Sequence, residues 1–200
     1  MKGLKIQDLI SSGVYATVYF FVVFIATMIA RFTVPVYNSL LIPAFSALIS
    51  GVVYLMVVNR VPKFGAITIV GAVMGIFFML FGYFPLAFLP SFVFPFLADV
   101  IQNKTKIQEN VKLFLSYTVF SFGLVGPILP LWFMKEAYIE SLTNRGKDMT
   151  YINSVFEPVA TWSFFMSMGV TILFSVIGLI IGQKIYNKHF SKDKKVGKKA

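Results

Sequence analysis

Long apolar runs, separated by short breaks carrying lysine, arginine, proline or glycine, set the pattern of this chain. A helix needs about 20 predominantly apolar residues to cross the hydrocarbon core of a bilayer. Six stretches approach that length, at 9–30, 37–58, 64–82, 84–101, 111–134 and 161–186. The pattern predicts an all-α integral membrane protein with six transmembrane helices. Between the third and fourth runs there is only the tight turn Gly82-Tyr83-Phe84-Pro85, so five spans is the alternative. The longest polar connection is 135–160. Residues 1–190 read as one transmembrane domain and 191–200 as a basic cytoplasmic tail.

Within the runs, small residues recur four apart, which places them on one helix face and lets backbones approach closely. Gly71 with Gly75 and Gly178 with Gly182 are expected to pack inside the bundle, whereas Ser12 with Ala16 is a candidate contact for an external helix. Pro85, Pro90 and Pro95 recur in the fourth run, and Pro127 and Pro130 in the fifth. Each removes a backbone donor and kinks or breaks its helix. Broken helices at membrane depth are tolerated where they face protein or a wet cavity. The two irregular stretches are therefore expected to border an outward-opening cavity, with improved packing as the other reading.

Composition agrees with the pattern. The chain is 58% hydrophobic and 13% charged, with a mean hydropathy of +0.80, too apolar for a soluble domain. The first run has no small-residue cleavage site and is expected to be retained as a span. Cysteine is absent and His189 is the single histidine, so no metal site or cofactor is indicated. The net charge of +10 is concentrated in the tail and in loops between apolar runs. That distribution suits orientation in a membrane and contact with anionic lipid, not nucleic acid. With six spans, fourteen Lys and Arg residues fall on the side of the termini and four, Arg31, Lys135, Arg145 and Lys147, on the other. Both termini are thus expected in the cytoplasm and 135–160 outside.

Catalytic chemistry is sparse. Asp99 is the one carboxylate inside an expected span, better suited to anchoring a helix end than to proton relay. Neither H-E-x-x-H nor a phosphate loop occurs, so no ATP hydrolysis and no enzymatic activity are expected. The outer segment PLWFMKEAYIE is richer. If one helix continues through it, Trp132, Lys135, Glu136, Ile139 and Glu140 share a face, and Tyr138 lies close by. An aromatic ring beside a cation and carboxylates suits a small-molecule pocket. Arg31, Tyr83, Glu157 and Trp162 fall on the same side by topology. The candidate binding residues are therefore Trp132, Lys135, Glu136, Tyr138, Glu157, Trp162, Arg31 and Tyr83. The competing reading is an interfacial aromatic belt with solvated charges. The mixed signs of this rim argue against a strongly charged ligand.

The stretches LISSGVYATVYFFVVF, VPKFGAITIVGAVMGIFF, FPFLADVIQ, LSYTVFSFGLVGPILPLWFMKEAY and IGLIIGQKIYNKHF together resemble the Trep_Strep family of bacterial integral membrane proteins. That family is regarded as MptD-type S components of energy-coupling factor (ECF) transporters. The resemblance covers residues 6 to 190. It implies a six-helix S-component bundle in the bacterial cytoplasmic membrane that binds a vitamin or related micronutrient. It further implies partners: a transmembrane coupling subunit and two ATPase subunits that supply the energy. S components often meet the coupling subunit through an A-x-x-x-A face on the first helix. Here Ser12, Gly13 and Ala16 stand at the matching place, with serine replacing the first alanine. Two other classes remain as alternatives, a membrane-embedded enzyme using Asp99 and the outer carboxylates, and a scaffold or channel subunit.

Overall fold

The computed structural model describes residues 3–190, and the expected basic tail at 191–200 lies outside the described residues. Every regular element among these residues is helical. α1 (Ile6–Thr33) is followed by α2 (Asn38–Ile49), α3 (Gly51–Arg60) and α4 (Ala66–Leu80). A single 3-10 turn, Pro85–Ala87, leads into α5 (Phe88–Lys104). α6 (Glu109–Ser121) passes through a second 3-10 turn, Phe122–Val125, to the short α7 (Pro130–Phe133). α8 (Lys135–Asn144) and α9 (Met149–Phe156) form a helical hairpin, and α10 (Thr161–His189) closes the bundle.

Among the described residues three helical stretches, Ile6–Thr33, Pro85–Lys104 and Thr161–His189, are long and apolar enough to cross a membrane, and a fourth is made by α2 and α3 if that pair, bent by 51°, is one span. α4 is apolar but has only 15 residues. The fifth expected run is not one helix: α6 stops at Ser121, Pro127 lies in the turns beyond it, and Pro130 opens α7. Pro85 opens the 3-10 turn, Pro90 falls in the first turn of α5, and only Pro95 is interior to that helix. The fourth run is thus less disrupted than three prolines suggest, because a proline in a first turn forfeits little backbone bonding.

Besides its aromatic and aliphatic core, the bundle buries many small and hydroxyl-bearing residues and turns many large apolar ones outward, the arrangement lipid favours. α10 is the clearest case. Ser163, Ser167, Thr171, Ser175, Gly178 and Gly182 are all buried, while Phe165, Ile172, Leu173 and Ile181 are exposed. The stripe bonds its neighbours: Ser167 Oγ donates to the Leu40 carbonyl at 2.5 Å, and Ser175 and Thr118 share a hydrogen bond of 2.8 Å. Gly178 and Gly182 lie against the backbone of α2 and α3 around the bend, where an added Cβ would strike the Ala47 and Gly51 main chain. Gly71 meets the Pro95 ring and the Ser91 carbonyl, which Pro95 deprives of its usual amide partner. Both glycine pairs pack inside the bundle, as four-residue spacing predicts.

Polar side chains fix the end that carries the described N-terminal segment. Asp8 accepts from Lys63 Nζ at 2.6 Å and ties α1 to the loop before α4. Asp99 Oδ2 accepts from Gly65 N, Thr68 N and Thr68 Oγ1 at 2.7, 3.0 and 2.8 Å, and Oδ1 accepts from Asn103 Nδ2 at 2.7 Å. Asp99 therefore caps the start of α4, the neighbouring helix, rather than its own end. Between the ends lies an aromatic core of Tyr19, Tyr54, Tyr117 and Phe120. Tyr54 donates to Ser116 Oγ at 2.8 Å, and Tyr117 donates to the Ala47 carbonyl at 2.5 Å, so these two buried phenols are satisfied.

Candidate ligand-binding site

At the opposite end the chain surrounds a cavity of about 660 Å³. Its walls are the distal halves of α1 and α4, contributing Phe20, Phe24 and Thr27, and Met74, Phe77 and Phe78. α2 adds Ser39, Ile42 and Pro43, and the broken fifth run supplies Leu124, Pro127 and Ile128 as the floor. The turn that breaks this run leaves Ile128 N donating to the Val125 carbonyl and Leu131 N to that of Ile128, so the irregular backbone stays bonded beside the cavity.

The α8–α9 hairpin covers the remaining side, with Tyr138, Leu142, Arg145, Lys147 and Tyr151 lining the cavity. Its turn is built by Gly146, whose φ of +72° suits a residue without a Cβ. Asp148 follows as the N-cap of α9, accepting from Tyr151 N at 2.8 Å. A second hydrophobic cluster of Leu40, Val125, Ile128 and Leu131 supports this cover. Tyr83 completes the rim from the turn after α4. Partial burial raises the Tyr83 and Tyr138 phenols above the ordinary tyrosine value, with the neighbouring Tyr151 acting the same way and Arg145 opposing. Both remain neutral hydrogen-bond donors at physiological pH.

Of the residues expected at a site, Tyr83 and Tyr138 line this cavity and the others do not. Trp132 donates Nε1–H to the Ala160 carbonyl at 3.0 Å and sets its ring edge-on to Phe164 at 5.3 Å, anchoring the entry to α10. Trp162 is exposed and stands edge-on to Tyr37. Lys135 lies over the Phe156 ring at 5.3 Å. Arg31, Glu136 and Glu157 are exposed at the end of α1, the start of α8 and the end of α9. The shared face across 132–140 is not formed, because Met134 adopts φ −143° and ψ 47° and separates α7 from α8. At the N-terminal face, Ser12 and Ala16 turn into the chain's own bundle, 0% and 2% exposed, and Gly13 is left facing open space.

Arg145, Lys147, Tyr151 and the phenylalanines of α1 and α4 were not singled out by the pattern. The signal for the first three lies in N-R-G-K-D, a helix end, a left-handed glycine and a new N-cap, which folds α9 back over α8. For the phenylalanines there is no such signal, since lipid-facing and cavity-facing rings look alike in an apolar run.

A family model described as "Hypothetical bacterial integral membrane protein (Trep_Strep)" matches residues 6–192. No curated protein and no solved structure matches the chain. With apolar helices long enough to span, outward-turned hydrophobic faces and a family match over nearly its whole length, this chain belongs to the Trep_Strep family of bacterial integral membrane proteins.

Proposed function

We propose that this protein is the substrate-binding S component of an ECF-type uptake transporter for a vitamin or related micronutrient. The observation that carries the reading is the cavity beneath the α8–α9 hairpin, about 660 Å³ in volume and within the range of small-molecule sites. In this reading the chain crosses the membrane six times, with α4 and the α6–α7 segment as the short or broken spans. Both termini face the cytoplasm, and the hairpin faces the medium where substrate arrives. The bias of lysine and arginine toward the end opposite the hairpin supports that orientation.

The role is binding, not catalysis. Asp99, the acid best placed for chemistry at depth, is engaged by three donor contacts at the start of α4 and a fourth from Asn103 on its own helix, and lies away from the cavity. With no phosphate loop in the chain, energy for uptake comes from a transmembrane coupling subunit and two ATPases. Since Ser12 and Ala16 are enclosed by the bundle, the coupling contact on α1 uses the exposed side at Gly13, flanked by Ile10, Val14 and Thr17. Co-expression with tagged coupling and ATPase subunits tests the reading. Co-purification of this chain and substrate uptake that depends on it are expected; absence of both in a well-folded preparation overturns it.

A further inference from the structure

Resting on the reading of the cavity as a substrate site, we infer that it takes an amphiphilic anion: a flat or elongated apolar body bearing one acidic head group, of which a carboxylate is the simplest. The lining is asymmetric. Its charged side chains are Arg145 and Lys147, both cationic, and no carboxylate lines the cavity. Neither cation has an ion-pair partner among the described residues. Arg145 Nη2 donates to Ser141 Oγ at 3.1 Å, and Lys147 Nζ sits 4.9 Å from the centre of the Tyr151 ring. The nearest acid in sequence, Asp148, spends Oδ1 on the cap of α9. A guanidinium and an ammonium with donors to spare, beside neutral phenols, form a donor-rich end suited to an anion.

The rest of the cavity excludes a polar ligand. Phe20 stacks on Phe77 at 4.6 Å and on Phe81 at 6.1 Å, giving a continuous aromatic wall. Away from the phenols, the aliphatic hydroxyls lining the cavity donate within the protein, Thr27 Oγ1 to the Val23 carbonyl at 2.8 Å and Ser39 Oγ to Asn38 Oδ1 at 3.1 Å. A sugar or a polyol would lose its water shell here without replacement, and a cation would meet Arg145 and Lys147. Phe21, Phe24 and Phe81 line the cavity yet remain more than half exposed, so the wall between α1 and α4 opens sideways toward lipid. An amphiphile can therefore arrive from the membrane surface with its body already in apolar surroundings. The volume is that of a drug-sized molecule, not of a two-chain phospholipid.

The test is photolabelling of the full chain in nanodiscs with 4-benzoylbenzoate and its neutral counterpart 4-benzoylbenzamide, followed by peptide mapping. The acid is expected to label the cavity segments of α1, α4 and the hairpin about tenfold more than the amide, the scale of one charge-assisted hydrogen bond. In the double variant Arg145→Gln, Lys147→Gln that excess disappears, and Arg145→Lys alone keeps most of it. Equal labelling by acid and amide, an excess that survives the double variant, or no cavity labelling at all overturns the inference. So does loss of labelling when phosphatidylglycerol replaces phosphatidylcholine, because a lipid head group then owns the site. The measurement uses no partner subunits. Charge-dependent labelling with neither co-purification nor dependent uptake would sink the transporter reading alone, and either of those without charge-dependent labelling would sink the ligand class alone.

Discussion

Trp132 illustrates how a residue chosen for its chemistry can be held by structure instead. Its indole N–H bonds the Ala160 carbonyl and its ring braces Phe164, so it holds α7 to the start of α10. Trp132→Phe removes the hydrogen bond and is expected to cost about 1 kcal/mol of stability, read as a lower unfolding temperature in detergent, with ligand binding unchanged. Lost binding at unchanged stability would return Trp132 to the site. Asp99→Asn strips the charge from a buried acceptor serving four donor contacts, and about 1–3 kcal/mol of destabilisation is expected. The raised phenols of Tyr83 and Tyr138 have an alkaline signature. Above about pH 10 the unfolded tyrosines release protons that the folded ones still hold, so stability falls with rising pH. Replacing both by Phe is expected to shallow that fall, and an unchanged slope in unfolding temperature against pH would contradict it.

At the scale of elements, small-residue crossings set which helices can touch. Gly71→Ala drives a methyl into Pro95 and the Ser91 carbonyl, and about 1–3 kcal/mol of destabilisation is expected. Gly13→Ala, facing open space in the same kind of environment, is expected to be neutral or slightly stabilising in the isolated chain. Gly13→Leu should leave that stability intact while weakening capture by the proposed coupling subunit; an unchanged yield of complex would remove Gly13 from the proposed contact. The apolar runs and glycine spacings made most helices legible, since both depend on local composition. The breaks were harder. Pro127 and Pro130 announced the interruption of the fifth run, but nothing local announced Met134, and a one-residue departure from helical backbone there turns Lys135 and Glu136 away from Trp132. A face projected along one helix cannot survive such a break. Ser12 and Ala16 share the same difficulty: four-residue spacing identifies a close-packing face without saying whose backbone fills it.

For the whole molecule, the distribution of side chains between lipid, helix contacts and cavity bears on both stability and site. Lipid accepts many large apolar residues outside, hydroxyls and glycines knit the helices around the aromatic core, and a cavity is left where the fifth run breaks and the hairpin folds over. Tyr83 and Tyr138 were legible from topology, because any outer-loop aromatic is a candidate; Arg145 and Lys147 were not, because their place depends on the Gly146 turn doubling the chain back. The most direct test of the account is mass spectrometry of small molecules carried through purification by the wild-type chain and by Thr27→Trp, which fills the cavity from α1. The account predicts a bound small molecule in the wild type that is missing from the folded variant. The same molecule retained equally by both would contradict it.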